Sequence, residues 1–179
     1  MKKIMMTAMV SMFSLSAMAQ KYMTRSGKIS FFSATSIENI EAFNNEAAAA
    51  IDCKTGDVVF QVPIKSFKFE KQLMQDHFNE DYMESDKFPK ASFKGKINAA
   101  DISDKDGTYK TTVKGQLTIH GETQEVTVPG TVTIKSGQLT VDAKFKVKPA
   151  DYKIKIPSVA ASKIAQQIEV TVSTVMKKA

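Results

Sequence analysis

Apolar and polar residues alternate through most of this chain, and a period of two is typical of β-strands that bury one face. Every second residue is apolar from 58 to 64. The same pattern, with an occasional glycine, recurs over 113–119, 126–134, 139–147 and 168–172. Threonine, lysine and other polar residues occupy most of the positions between. The sequence therefore predicts a largely β-sheet protein whose sheet is apolar on one face and polar on the other.

Short turn sequences separate these runs. Glycine or aspartate marks Lys54–Asp57, Asp104–Gly107, His120–Glu122 and Ser136–Gly137, and both residue types accept the positive φ of tight hairpins. Tight turns between alternating strands predict an antiparallel meander. About eight strands with one apolar face favour a closed barrel, because closure leaves no exposed sheet edge. A two-sheet sandwich is the alternative.

One segment has a different period. Glu70–Glu84 contains no β-branched residue, and its apolar side chains recur at helical spacing, as in the pair Met74 and Phe78. We predict a helix from Glu70 to Asn79, followed by a loop that closes at Phe88-Pro89.

Two other segments are less regular. Glu38–Asp52 includes Ala47–Ala50, which favours a helix, but we predict a strand because the neighbouring strands need a sheet partner. Pro149–Ser162 is predicted to be irregular, since Pro157 breaks any long element. Neither an internal repeat nor a linker divides the sequence.

The beginning of the chain has the features of a secretory signal peptide. Two lysines precede an uncharged apolar stretch over residues 4–18, and Ala17-Met18-Ala19 fits a signal-peptidase site. We predict cleavage after Ala19, which removes residues 1–19 and leaves a single domain over residues 20–179. The apolar stretch is shorter than the roughly 20 residues of a spanning helix, so we predict an exported protein that does not span the membrane.

The residues with catalytic or metal-binding chemistry form no recognisable site. His77 and His120 are the only histidines, and their spacing matches no zinc motif. The acidic residues between Asp76 and Asp86 lack the spacing of a calcium loop, and no nucleophile elbow is present. We therefore predict no catalytic residue, no metal and no cofactor, and so a protein that is not an enzyme. His77 is expected to anchor its helix, and His120 to satisfy local backbone groups in its turn.

The single cysteine and the single arginine argue against a disulfide-stabilised protein and against a nucleic-acid-binding protein. Cys53 is the only cysteine, so no internal disulfide forms, and it is expected to be a small apolar filler rather than a reactive thiol. Arg25 is the only arginine, and the lysines are spread singly along the strands. Nucleic-acid binding needs a concentrated basic stripe, so no nucleic-acid partner is predicted.

Three segments carry further motifs. Gly115–Pro129 contains a Leu-Thr-x-His-Gly run followed by alternating valines, and Ile168–Val172 alternates in the same way. The third motif consists of Asp76-His77-Phe78, Tyr82, Ser85, Lys87-Phe88-Pro89 and Phe93. These segments resemble, respectively, the most recognisable hairpin, the last strand and the helix-to-strand signature of the YceI-like family. The resemblance implies an extended, lipocalin-like barrel in the periplasm that holds a polyisoprenoid or another lipid in its lumen.

The apolar face and the resemblance together predict a binding protein for a long apolar ligand such as a polyisoprenoid, an isoprenoid quinone or a fatty-acid-like lipid. Alternation alone does not separate a hollow barrel from a filled one. A filled-barrel module that binds another envelope protein is therefore the alternative, and a homodimer is compatible with either. Phe78 is expected to close one end of the lumen. The predicted lumen residues are Phe31, Phe60, Val62, Phe78, Phe93, Leu117, Val128, Val141, Phe145 and Val170.

Overall fold

The computed structural model describes residues 20–179, so the predicted signal peptide lies outside the described residues. One α-helix, α1 (Gln72–His77), lies between the fourth and fifth of nine strands in this part of the chain. The strands are β1 (Lys21–Ala34), β2 (Asn39–Asp52), β3 (Asp57–Pro63), β4 (Lys68–Phe69), β5 (Lys90–Ile97), β6 (Gly107–Ile119), β7 (Glu122–Lys135), β8 (Gln138–Val147) and β9 (Ile168–Lys178).

The strands form one antiparallel sheet that closes on itself. Its order is β1-β9-β8-β7-β6-β5-β3-β2, and β2 pairs back with β1 along nearly its whole length. The two-residue strand β4 continues the line of β3 and pairs with β2 at Ala42 and Phe43. The prediction of a closed eight-stranded antiparallel barrel with one short helix is confirmed, and the sandwich alternative is wrong.

Two of the hairpin turns explain the local register. His120-Gly121 joins β6 to β7, and Ser136-Gly137 joins β7 to β8. All four residues have positive φ, between 50° and 78°, as the type I′ turn of a two-residue hairpin requires. These turns fix which residues face inward along β6, β7 and β8, because a slip by one residue would turn every side chain to the other face.

The predicted strand over Glu38–Asp52 is confirmed by β2, whereas the predicted helix is longer than the observed one. β4 keeps the backbone extended through Phe69, and Lys71 is still extended at φ −108° and ψ 127°. After His77 the chain widens into a π-helical turn over Phe78–Tyr82, in which the Met83 N–H donates to the Phe78 carbonyl over 2.9 Å. The helix thus occupies only the middle of Glu70–Asn79.

One end of the barrel is packed solid. Tyr22, Ile134, Leu139 and Met176 are each at most 2% exposed and form a floor at the end where β8 begins and β9 ends. Thr174 is fully buried at the same end, and its hydroxyl hydrogen bonds to both the N–H and the carbonyl of Lys28, where β1 bulges. These contacts close the floor without leaving the bulged backbone unpaired.

Cys53 lies buried just beyond the end of β2, as expected for an apolar filler. Burial, reinforced by the Asp52 carboxylate, raises the pKa of the Cys53 thiol from 9.0 to about 11. We expect the native protein not to react with a thiol reagent at neutral pH and to react stoichiometrically once unfolded. Fast labelling of the native protein would contradict this.

The raised pKa of Cys53 makes the free energy of unfolding fall as the pH rises above 9. Between pH 9 and about 11 the unfolded chain releases the thiol proton while the folded chain keeps it. This contribution to the free energy of unfolding is therefore present below pH 9 and is lost as the pH rises through that window. A Cys53→Ala variant should show a smaller decline over this window than the wild type in denaturant titrations.

Candidate functional site

A cavity of about 800 Å³ occupies the barrel above the floor. It lies between the inward faces of the strands and is covered at the other end by α1 and by the segment 153–167, called the strap below. The cavity's volume falls within the roughly 300–1,000 Å³ typical of small-molecule sites. Alternation alone left open whether the barrel is hollow or filled. The cavity shows that it is hollow.

All ten predicted lumen residues lie on the wall of this one cavity. They come from seven of the nine strands in the described chain and from the π-helical turn that follows α1. For the nine on strands, alternation with polar neighbours directs the side chains inward, since successive residues of a strand point to opposite faces. The ten are Phe31, Phe60, Val62, Phe78, Phe93, Leu117, Val128, Val141, Phe145 and Val170.

Phe78 belongs to an aromatic cluster in the upper part of the cavity. Its ring stacks on Phe31 with centroids 5.5 Å apart and contacts Phe67 and Phe69 at 5.6 and 5.0 Å. Such pairs contribute about 0.5–1.5 kcal/mol each beyond the burial of their area. Sequence reasoning missed Phe67 and Phe69, although their i, i+2 spacing carries the strand signal. The cluster ties α1 and the π-helical turn to the barrel wall.

The strap supplies a second set of missed residues. Ile154, Ile156, Val159 and Ile164 all line the cavity, although the segment has no long element. Ile154 and Ile156 alternate with lysines, which was the available signal. The strap is held in place at its far end, where the Ala165 N–H donates to the buried Ser33 hydroxyl over 2.9 Å.

The two ends of the cavity differ in chemistry. Apolar side chains such as Ile97 and Val132 line its lower end, next to the solid floor. Charged or ionisable side chains line it only toward the end covered by α1 and the strap, which we call the mouth. The cavity is therefore a blind, apolar sleeve with a polar opening. The polar mouth residues are Glu38, Lys71, His77, Asp81 and Lys163.

His120 joins the two covering segments at the tip of the β6–β7 hairpin. Its Nε2 lies 2.8 Å from Glu84 Oε2, beyond α1, and its Nδ1 lies 3.2 Å from the Tyr152 carbonyl oxygen, before the strap. The ring also packs on Phe88 with centroids 4.5 Å apart. The expectation of local backbone contacts is wrong, because both partners lie more than thirty residues away in sequence.

We expect His120→Asn to lower the free energy of unfolding by about 1–3 kcal/mol, because Glu84 and the Tyr152 carbonyl both lose their partner. Asparagine tolerates the left-handed backbone of this position, φ 52°, so the loss reports the side chain. Ser136→Asn, at the equivalent position of the next hairpin with φ 50°, is the matched control. Equal effects of the two substitutions in denaturant titrations would contradict the assignment.

The remaining sequence candidates do not assemble into a site. His77 is exposed at the mouth, and no group of three or more histidine, cysteine, aspartate or glutamate side chains suited to a metal ion occurs within residues 20–179. Within the same residues, no helix has the length and apolar character needed to cross a bilayer.

Fold and site together define a closed antiparallel barrel built around a one-ended apolar cavity. The chain belongs to the YceI-like domain family, whose sequence model matches residues 8–176. The resemblance found in the β6–β7 hairpin is thereby confirmed over nearly the whole chain. No curated protein sequence gives a significant match.

Solved structures share the architecture. A polyisoprenoid binding domain from Saccharophagus degradans, implicated in plant cell wall breakdown, aligns with a TM-score of 0.77 and 13% identity over 90% of this chain and 99% of that domain. BcnA of Burkholderia cenocepacia aligns with a TM-score of 0.69 and 22% identity, covering 83% and 95%. The YceI protein of Campylobacter jejuni aligns at 0.59 and 17%, covering 75% and 81%. At these identities the similarity shows the fold.

Proposed function

We propose that this protein is a periplasmic binding protein that holds one long apolar ligand in its barrel, and that it is not an enzyme. The observation that carries the proposal is the cavity of about 800 Å³ lined almost entirely by aliphatic and aromatic side chains. An open apolar volume of this size in a folded protein is unusual, since interiors normally pack with few voids larger than a water molecule.

The energetics favour a long chain without strong polar recognition. Each methylene removed from water contributes about 0.8 kcal/mol, so a buried five-carbon isoprene unit contributes about 4 kcal/mol before entropy costs. Few polar side chains reach the cavity except at its mouth. A polyisoprenoid, an isoprenoid quinone or a fatty-acid-like lipid satisfies these conditions, and the Saccharophagus degradans neighbour is described as polyisoprenoid binding.

The blind floor also supports an orientation. A ligand with one polar end enters tail first, because the charged side chains that line the cavity, Lys71 and Lys163 among them, lie at its mouth. Its polar end then stays near those side chains, where water remains accessible. The same geometry weighs against the filled-barrel interaction module, whose core has no room for a cavity of this size.

The proposed location rests on the signal-peptide features of residues 1–19. Those features support export of the mature chain to the periplasm, where the bilayers of the cell envelope supply lipid ligands. N-terminal sequencing of the exported protein should find Gln20 as the first residue.

Native mass spectrometry of gently purified protein tests the binding proposal. We expect a bound mass of an apolar lipid, or uptake of added isoprenoid quinone or fatty acid at one molecule per chain. A clean apo mass that persists after incubation with each of these lipids would overturn the proposal.

A further inference from the structure

The apolar side chains most exposed to solvent in this protein surround the cavity mouth. Within residues 20–179 the three large hydrophobic residues with the greatest exposure are Val159 at 85%, Leu73 at 65% and Ile37 at 62%. The other exposed large hydrophobics lie on the strands, and none exceeds 51%. We call Ile37, Leu73 and Val159 the rim.

The rim is continuous with the apolar interior. Leu73 on α1 and Val159 on the strap line the cavity themselves, and Ile37 immediately precedes Glu38, which lines its mouth. The three come from three separate segments: the β1–β2 turn, α1 and the strap. An object that covers the rim therefore also covers the opening through which a ligand passes.

The strap side of the mouth is basic. Residues 153–163 contain three lysines and no acidic residue. Lys153 is paired with Glu122 over 2.8 Å, whereas Lys155 and Lys163 enter no ion pair among the described residues. The α1 side carries Asp76, Glu80 and Asp81 instead. An anionic surface would thus be attracted to the strap side first.

We propose that the rim docks the mouth onto a lipid bilayer, with the strap lysines against anionic headgroups, so that ligand passes between membrane and cavity without crossing water. This inference rests on the proposed function, because the cavity's cargo is a lipid.

The shape of the rim favours a bilayer over a protein partner. Its three side chains stand on three separate segments at the opening of the cavity. Pairing of β1 with β2 closes the sheet, so the barrel offers no free edge for an added strand. A fluid lipid surface accommodates separated apolar side chains, and this is how interfacial anchors bind.

Vesicle flotation of the purified protein tests the inference. The probes are vesicles of phosphatidylcholine alone and vesicles in which phosphatidylglycerol replaces part of it. The rim variant is Leu73→Ser/Val159→Ser, and the matched control is Val59→Ser/Val175→Ser on the outer barrel wall, where both valines are exposed. We expect the fraction of rim variant bound to vesicles to be about ten-fold lower than that of the wild type. The control should bind like the wild type.

A second pair of variants tests the charge. Lys155→Glu/Lys163→Glu should weaken binding to the phosphatidylglycerol vesicles and leave binding to pure phosphatidylcholine unchanged. Lys94→Glu/Lys110→Glu, on exposed positions of β5 and β6 that enter no ion pair among the described residues, should change neither. Failure of wild type to float with either vesicle, equal binding of the rim variant and wild type, or an equal loss in the control would overturn the inference.

Loading is measured separately with Ile37→Ser/Lys155→Glu, because neither of these mouth residues lines the cavity. Isoprenoid quinone supplied in detergent should load this variant and the wild type equally by native mass spectrometry, while quinone supplied in phosphatidylglycerol-containing vesicles should load the variant about ten-fold more slowly. An empty cavity in both formats overturns the proposed function. If loading from detergent is normal and the variant loads from vesicles as fast as the wild type, only the proposed docking to the bilayer is overturned.

Discussion

Replacing Ala143 with phenylalanine is expected to abolish retention of a long isoprenoid quinone while leaving the barrel folded. Ala143 faces the cavity from β8, opposite Gly130 on β7 and Val172 on β9. Its small side chain, beside a glycine, keeps the sleeve open at this level. A benzyl group placed there projects into the path that a tail must follow from the mouth to the floor.

The size of the effect follows from the length of tail that is excluded. A tail that stops at residue 143 leaves at least one isoprene unit outside the lower cavity, which costs about 4 kcal/mol of burial. Since 1.4 kcal/mol corresponds to ten-fold in affinity, the loss of one isoprene unit should weaken the binding of long ligands on the order of several hundred-fold. Short-chain ligands, which end above residue 143, should be affected much less.

Ala50→Phe is the matched control. Ala50 lies on β2, and its cross-strand partners Met23 and Val59 are both exposed, so its side chain points outward. Affinities from titration with a fluorescent isoprenoid, together with thermal unfolding curves of both variants, decide the question. Unchanged binding of the long ligand by a folded Ala143→Phe variant would place the ligand outside the barrel.

The strand positions were predictable because the alternation of apolar and polar residues, the turn residues and the turn geometry all indicate the same strands. Alternation gives the strands, glycine and aspartate give the turns, and the I′ geometry at His120-Gly121 and Ser136-Gly137 fixes the register. Once the register is fixed, the inward residues follow, and for this reason the nine predicted lumen residues on strands lie on the cavity wall.

The hollowness of the barrel was not predictable from the same signal. Alternation states which side chains point inward and leaves open whether they meet. The cavity depends on side-chain volumes at particular levels, with Gly130 and Ala143 small above the floor and Leu139 and Met176 large within it. The strap was missed as a site element because its alternation ends at Pro157, after only Ile154 and Ile156, which both line the cavity.

The π-helical turn shows where local sequence reasoning ends. Helical spacing predicted a helix that continues to Asn79. In the structure the Phe78 ring packs on Phe31 of β1 and on Phe67 and Phe69, which lie at β4. Those contacts join residues remote in sequence, and they override the local preference. The same holds for His120, whose partners Glu84 and Tyr152 come together only when the barrel closes.

Gly115→Ala is expected to destabilise the protein by about 3 kcal/mol, because β5 and β6 approach each other where Gly95 and Gly115 lie directly opposite. A Cβ on Gly115 would overlap the Lys94 carbonyl oxygen and the Gly95 Cα. Both are backbone atoms, so the strands themselves must separate. Gly115 does not have a positive φ, and in an open strand the same substitution would stabilise by about 0.5–1 kcal/mol.

Two other glycines separate the steric contribution from the conformational one. A Cβ on Gly95 would meet the Phe93 ring, which can turn, and the Lys114 carbonyl oxygen at 2.8 Å, so Gly95→Ala should cost less than Gly115→Ala. Gly137 has φ 76° and open space around it, so Gly137→Ala should cost only about 1 kcal/mol of backbone strain. Thermal unfolding should rank the three, with Gly115→Ala lowering Tm by about 10 °C for a domain of this size.

The Gly115 substitution also reaches the cavity. Phe93 and Leu117 face each other across the same two strands, two residues from the glycine pair, and both line the cavity. Separating β5 from β6 moves these side chains apart and opens the wall to water. A Gly115→Ala variant that folds should therefore release its lipid faster than Gly137→Ala of the same fold. Wild-type stability and release would show that the strands tolerate a methyl group at their closest approach.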